Sequence, residues 1–169
     1  MDRNHRGFSL IELLIVVAII LTIAVLAVPS FLRSRMNAHE TSAVASIRVI
    51  ITANTTYSTV YANGYAPDLP TLGGNPPADC HNANLIDSLL ASGQKSGFNF
   101  NYVPADPVAA PPAGCTPGGN SFTLQATPIA VGSTGQRSFC ADESNVILFD
   151  PTGAVIAAPC RDSGMSPLQ

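Results

Sequence analysis

The chain has 169 residues, a formal net charge of −3, and 11% charged residues against 46% hydrophobic ones. That length suits one domain with a modest core and not comfortably two. With no basic run in the sequence, nucleic acid is not favoured as the main partner.

The first seven residues are polar and basic, with Arg3, His5 and Arg6, and they end in Gly7. Phe8 follows, and no charge occurs from Leu13 to Leu32. As a helix, that run is long enough to cross a bilayer, which takes roughly 20 residues. One carboxylate, Glu12, stands at its head. A charge at the bilayer centre costs at least about 2.5 kcal/mol, so an acid on a membrane helix marks a functional position. A conventional secretory signal has a shorter apolar region and a small-residue cleavage site after it. Here the candidate junction, Gly7-Phe8, precedes the apolar run, so cleavage keeps the membrane helix on the mature chain. Glycine there lets an extended backbone approach a protease cleft. Losing the leader changes the net charge to about −4.

The stretch Arg6-Gly7-Phe8-Ser9-Leu10-Ile11-Glu12-Leu13-Leu14 resembles the class III signal of type IV pilins and type II secretion pseudopilins. The match is nearly residue for residue there. In overall layout it extends over the chain, more weakly after about Tyr65. The resemblance implies cleavage after Gly7 by a prepilin peptidase, N-methylation of Phe8, and polymerisation through the apolar helix. It implies a partner for Glu12, the free amine of Phe8 on a neighbouring subunit. Such a pair is strongly favourable in a low-dielectric core compared with leaving either group alone, and would set axial register. The plainer reading of Glu12 is a carboxylate at lipid headgroup level. Other implied partners are minor pilins, a cytoplasmic ATPase and an inner-membrane assembly platform, with the membrane itself before assembly.

From Phe8 to about Ala62 the chain holds no glycine and one proline. This reads as one helix of roughly 80 Å at about 1.5 Å per residue. Residues 8–32 form its membrane or filament-core half. Residues 33–62 form an amphipathic half, with Val44, Ile47, Ile51, Tyr57 and Tyr61 on the packing side. Arg48, Asn54 and the hydroxyl residues are assigned to water. Pro29 removes a backbone bond, so it kinks the helix or ends it. The resemblance favours a kink, with a role in assembly.

Residues 63–169 read as a globular head. Gly64 to Ala78 is turn and loop material, and a short helix is expected over Asn84 to Ala91 before Gly93. Strands are expected at Phe98 to Val103, Ser121 to Ala126, Arg137 to Ala141, Val146 to Phe149 and Ala154 to Ala157. A Pro/Gly-rich insertion occupies Pro104 to Gly119. The fold class is α+β: a long N-terminal helix packed on a small antiparallel meander of three to five strands.

Cys80, Cys115, Cys140 and Cys160 all follow the membrane segment and show no CxxC spacing. They read as two disulfides in an oxidising compartment, with three connectivities open. Cys140 with Cys160 flanks the last expected hairpin, which favours that pair and Cys80 with Cys115. Charge leaves the orientation balanced, because Arg3 and Arg6 face Arg33 and Arg35 across the run. The cysteines break the tie. They place the head in an oxidising compartment, and the resemblance then implies the periplasm for the head of a single-pass inner-membrane protein destined for a surface pilus or a periplasmic pseudopilus.

Other residues have plain readings. Tyr57, Tyr61 and Tyr65 are expected between helix and sheet with hydroxyls at the rim. Asp142, Glu143 and Asp150 are turn carboxylates, or a calcium loop of the kind major pseudopilins carry. Calcium needs six to eight oxygens, and no EF-hand pattern is present. No other cofactor is expected. His39 and His81 are isolated, and no GxSxG, HExxH or phosphate loop occurs, so no enzymatic site is expected. The Asn54-Thr55-Thr56 sequon lies on a helix and reads as chance. The sequence supports a pilus-like filament subunit. The alternatives are the major pseudopilin of a type II secretion system and a membrane-tethered periplasmic binding module or enzyme.

Overall fold

The computed structural model describes residues 8–156, 160 and 165–168. The first helix, α1 (Leu10–Tyr61), has 52 residues and runs through Pro29 without ending. The chain divides into two compact units, the first ending at Arg35 and the second starting at Met36. The second half of α1 therefore belongs to the head.

Within the head, Glu40, Ala43, Ile47, Ile50, Asn54 and Tyr57 form the buried stripe of α1. Their alternating steps of three and four keep them on one face. Asn54, expected to face water, is fully buried. On the opposite side, the hydroxyls of Thr41, Thr52, Thr55, Thr56 and Thr59 each donate to the carbonyl four residues back. The helix itself thus absorbs their hydrogen-bonding capacity.

Two short helices follow. α2 (Leu69–Leu72) lies in the segment expected to be loop; Asp68 caps it by accepting the Thr71 N–H at 2.8 Å, with Pro70 in the first turn. α3 (Ser88–Ala91) is capped by Asp87 and is half the length expected. The N–H groups of Ala83, Asn84 and Leu85 instead donate to the carbonyls of Thr71, Gly73 and Leu72. That segment is committed to α2 before a helix can start.

Among the described residues the sheet has six strands: β1 (Gln94–Lys95), β2 (Phe98–Pro107), β3 (Gly119–Pro128), β4 (Ser138–Asp142), β5 (Ile147–Asp150) and β6 (Ser166–Pro167). Strand order equals chain order, and every pairing is antiparallel. β2 continues past Val103 into the segment read as an insertion. Pro104 and Pro107 are tolerated because β1 pairs only with Phe98 and Asn99, leaving the rest of β2 a sheet edge. No strand forms over 154–156, and Ala157 lies outside the described residues. The position beside β5 goes to β6, with Leu148 opposite Pro167 and Phe149 opposite Ser166.

Phe98, Phe100, Leu124, Phe139 and Ala141 from one sheet face share a single core with Ile47, Ile50 and Tyr57 of α1. Full burial of such a side chain contributes about 1.5–3 kcal/mol. On the other face of β4, Cys140 packs with Ile156, Cys160, Leu148 and Met165. β4 is consequently buried on both faces. At the far end of β3, Gly118 passes under the loop after α1. A Cβ there would lie 2.1 Å from the Tyr65 carbonyl oxygen and 2.2 Å from that of Asn63, so only glycine fits.

Candidate assembly segment

α1 begins beside the expected junction. Phe8 and Ser9 precede the helix, the Ser9 carbonyl accepts the Leu13 N–H at 3.2 Å, and Glu12 lies in the first turn. An acid at that position is favoured by the free N–H groups of a helix N-terminus. Gly7 lies outside the described residues. Phe8, Leu10, Ile11, Leu13 and Leu14 are all largely exposed around Glu12, Phe8 at 83%. Among the described residues, no hydrogen bond or ion pair reaches the Glu12 carboxylate. From Leu13 to Leu32 almost every side chain is exposed and apolar, and α1 is long and apolar enough to cross a membrane. Its one hydroxyl before Pro29, on Thr22, donates to the Ile19 carbonyl at 2.7 Å and would cost little in lipid.

The head is tied together by polar groups that join elements far apart in sequence. Glu40 Oε1 accepts the N–H of Gln136 at 2.7 Å and of Arg137 at 3.0 Å. Its Oε2 accepts Arg137 Nε at 2.8 Å and pairs with the guanidinium at 2.8 Å. Burial pushes this carboxyl up, but the four donated contacts outweigh it and hold the pKa below the ordinary carboxylate value. The same guanidinium lies 5.7 Å from the Phe139 ring centre and 5.4 Å from that of Phe149. Sequence reasoning missed Glu40. Its signal was its place on the buried stripe, where an acid needs a partner.

Tyr57 donates its hydroxyl to the Cys80 carbonyl at 2.8 Å and receives Asn63 Nδ2 at 3.2 Å. That hydroxyl is inside the fold and not at the rim. Burial raises its pKa. Asn54 Oδ1 accepts the Ala66 N–H at 3.0 Å, and its Nδ2 donates to Ile50. Tyr102 shares one proton between Asn54 Oδ1 at 3.1 Å and the Ala66 carbonyl at 2.9 Å, and burial raises its pKa strongly. Asn54 is thus a structural clamp. Tyr57 and Tyr61 touch ring to ring, while Tyr65 packs edge-on to Phe122.

The disulfides join Cys80 to Cys115 and Cys140 to Cys160. The first ties the loop before α3 to the β2–β3 connection. The second fastens the C-terminal segment across the outer face of β4.

The three acids weighed as calcium ligands are not brought together. Hairpin register places Asp150 opposite Ser138, whereas Asp142 lies beyond the Ala141–Ile147 pair at the other end. Asp142 Oδ1 accepts the N–H and hydroxyl of Ser144, closing a turn. Asp150 Oδ1 does the same with Thr152, whose hydroxyl and N–H lower its pKa. No cluster of three or more His, Cys, Asp or Glu suited to a metal occurs among the described residues.

Residues 2–28 match the family model described as the prokaryotic N-terminal methylation motif. The N-terminal segment is similar to that of type IV pilins. The chain is 35% identical over 75 residues to the type IV major pilin protein PilA of Myxococcus xanthus, covering 40% of this chain and 34% of the relative. It is 49% identical over 43 residues to the type IV wide pilus major component PilA4 of Thermus thermophilus, covering 25% of this chain and 33% of the relative. The matches thus span about a third of the length of these curated relatives. No solved structure gives a significant match. The α+β architecture of a long N-terminal helix with an antiparallel sheet is consistent with a type IV pilin-like fold.

Proposed function

We propose that this chain is a structural subunit of a type IV pilus-like filament, cleaved after Gly7, N-methylated at Phe8 and polymerised through α1. The observation that carries the reading is Glu12. It is a lone carboxylate, the fifth residue after the junction, at the head of an otherwise exposed apolar surface. Cleavage would create an amine at Phe8. In a bundle of such helices, that amine on one subunit is the natural counter-charge for Glu12 on another. An unpaired charge in the same place would be costly. Before assembly, the apolar half would rest in the inner membrane with the disulfide-bonded head in the periplasm. The subunit's work is then mechanical rather than enzymatic.

A pilus is favoured over a secretion pseudopilus because the relatives above are named as a type IV major pilin and a type IV wide pilus component. The test is intact-mass analysis of filaments sheared from cells and imaged by electron microscopy. The subunit should lack Met1 to Gly7 and carry one added methyl group. Replacing Gly7 with Val should leave the full-length form in the membrane. A filament subunit that retains the leader would overturn the reading.

A further inference from the structure

Hydrogen bonds fix which loops lie at which end of the head. Glu40 holds Gln136 and Arg137, and Ser42 bonds Ser96 at 2.8 Å. Tyr57 reaches Cys80, about 25 Å further along α1 at 1.5 Å per residue. The β1–β2 turn, the loop from Ile129 to Arg137 and the turn after Asp150 therefore gather at the Glu40 end, because Phe98 pairs with Pro128 and Ser138 with Asp150.

That end exposes aliphatic side chains. Ile129 is 53% exposed, Val131 52% and Val155 79%. A Cβ added at Gly153, two residues from Val155, would lie 3.0 Å from Val131 Cγ2, so the loop and the turn are adjacent. The loop is held in shape: the Ala130 carbonyl accepts the N–H of Ser133 and Thr134, and Gly132 donates to Gly135. The charged groups nearby are engaged. Lys95 pairs with Asp87 at 2.7 Å, Arg137 with Glu40, and Asp150 with Thr152. The result is a preformed apolar rim with little charge to keep in water.

We propose that this rim, Ile129, Val131 and Val155, inserts into the lipid headgroup region of the membrane that holds the unassembled subunit. The inference rests on the membrane residence given under Proposed function. Connectivity selects the partner. Four positions separate Leu32, the last residue of the apolar run, from Met36, the first residue of the head. The apolar run is thus joined to the head by a short stretch of chain that enters it at the Glu40 end of the helix. Arg33 and Arg35 between them suit anionic lipid phosphates. Tethering raises the effective concentration of lipid at the rim, so three aliphatic side chains suffice for a contact too weak to hold a free protein. Extraction into a filament would release the rim.

The chain contains no tryptophan, so one introduced indole reports alone. Full-length protein carrying Val131→Trp is reconstituted into phosphatidylethanolamine–phosphatidylglycerol vesicles with brominated acyl chains. Val60→Trp, on an exposed residue near the far end of α1, and Val17→Trp, within the apolar run, are the comparisons. Expected are deep quenching at position 17, weak quenching at 60, and several-fold stronger quenching at 131 than at 60 by bromines near the headgroups. Adding Ile129→Asp to Val131→Trp should return quenching to the position-60 level with both disulfides intact. Quenching at 17 with equal, weak quenching at 131 and 60 would overturn this proposal alone. No quenching at 17 would overturn the membrane reading beneath it. Shielding of the position-131 indole in filaments but not in vesicles would make the rim a subunit contact and overturn the lipid assignment.

Discussion

Glu40 and Arg137 lie 97 positions apart, and the carboxylate of the first binds both the guanidinium and the backbone N–H of the second. The pair couples α1 to the start of β4. Glu40→Ala should destabilise the head by about 2 to 3 kcal/mol, between the values for exposed and fully buried pairs, because the Arg137 head is partly exposed. Urea unfolding of the detergent-solubilised chain measures this. The sign of the pH dependence follows from a folded pKa held below the unfolded one. The stabilisation is present above the unfolded value, about 4.3, and fades as pH falls through the lower folded value. Acid should therefore weaken wild type more than Glu40→Gln, which has no carboxyl to protonate.

Replacing Asn54 with Leu should also destabilise. The Ala66 N–H would lose its acceptor while still buried, and the Tyr102 hydroxyl would keep only the Ala66 carbonyl. A stranded buried donor costs about 1–3 kcal/mol. A Leu variant as stable as wild type in denaturant titration would show that Asn54 contributes no net stability.

Non-reducing peptide mapping should recover Cys80 with Cys115 and Cys140 with Cys160, without mixed pairs. The double variant Cys140→Ser with Cys160→Ser should lose about 2–5 kcal/mol. Proteolysis should then begin in the C-terminal segment, because Ile156 and Met165 pack around that bridge.

Glu12→Leu should insert in the membrane and form both disulfides, since leucine suits lipid better than glutamate. Assembly should fail. A Phe8 amine entering a filament core without its partner costs about 3–5 kcal/mol, repeated at each subunit. Filament counts per cell, alone and with co-expressed wild type, measure it. Wild-type density would reduce Glu12 to a headgroup-level carboxylate.

Much of this molecule was legible locally. The apolar run and the turn-bounded strands are written in short stretches whose chemistry is self-sufficient. What escaped was set by distant contacts. Asn54 looks solvated among threonines, yet it shares the three-and-four spacing of Ala43, Ile47, Ile50 and Tyr57 and finds its partners at Ala66 and Tyr102. Glu40 continues the same stripe toward the N-terminus, and only the fold supplies Arg137. β6 has two residues, too few for a period to show. The expected strand after Gly153 gave way to it because the register of β5 was free to choose another partner.

A sheet whose spatial order is its chain order has a consequence for a chain synthesised from its N-terminus. Each strand finds its neighbour already delivered, so the head can be laid down progressively, without waiting for its tail. The bridges follow the same sequence, joining the first cysteine to the second and the third to the fourth. An oxidant that links thiols in the order they emerge would reach the native pairing without reshuffling. The subunit could thus be sealed in stages, with Cys160 closing last.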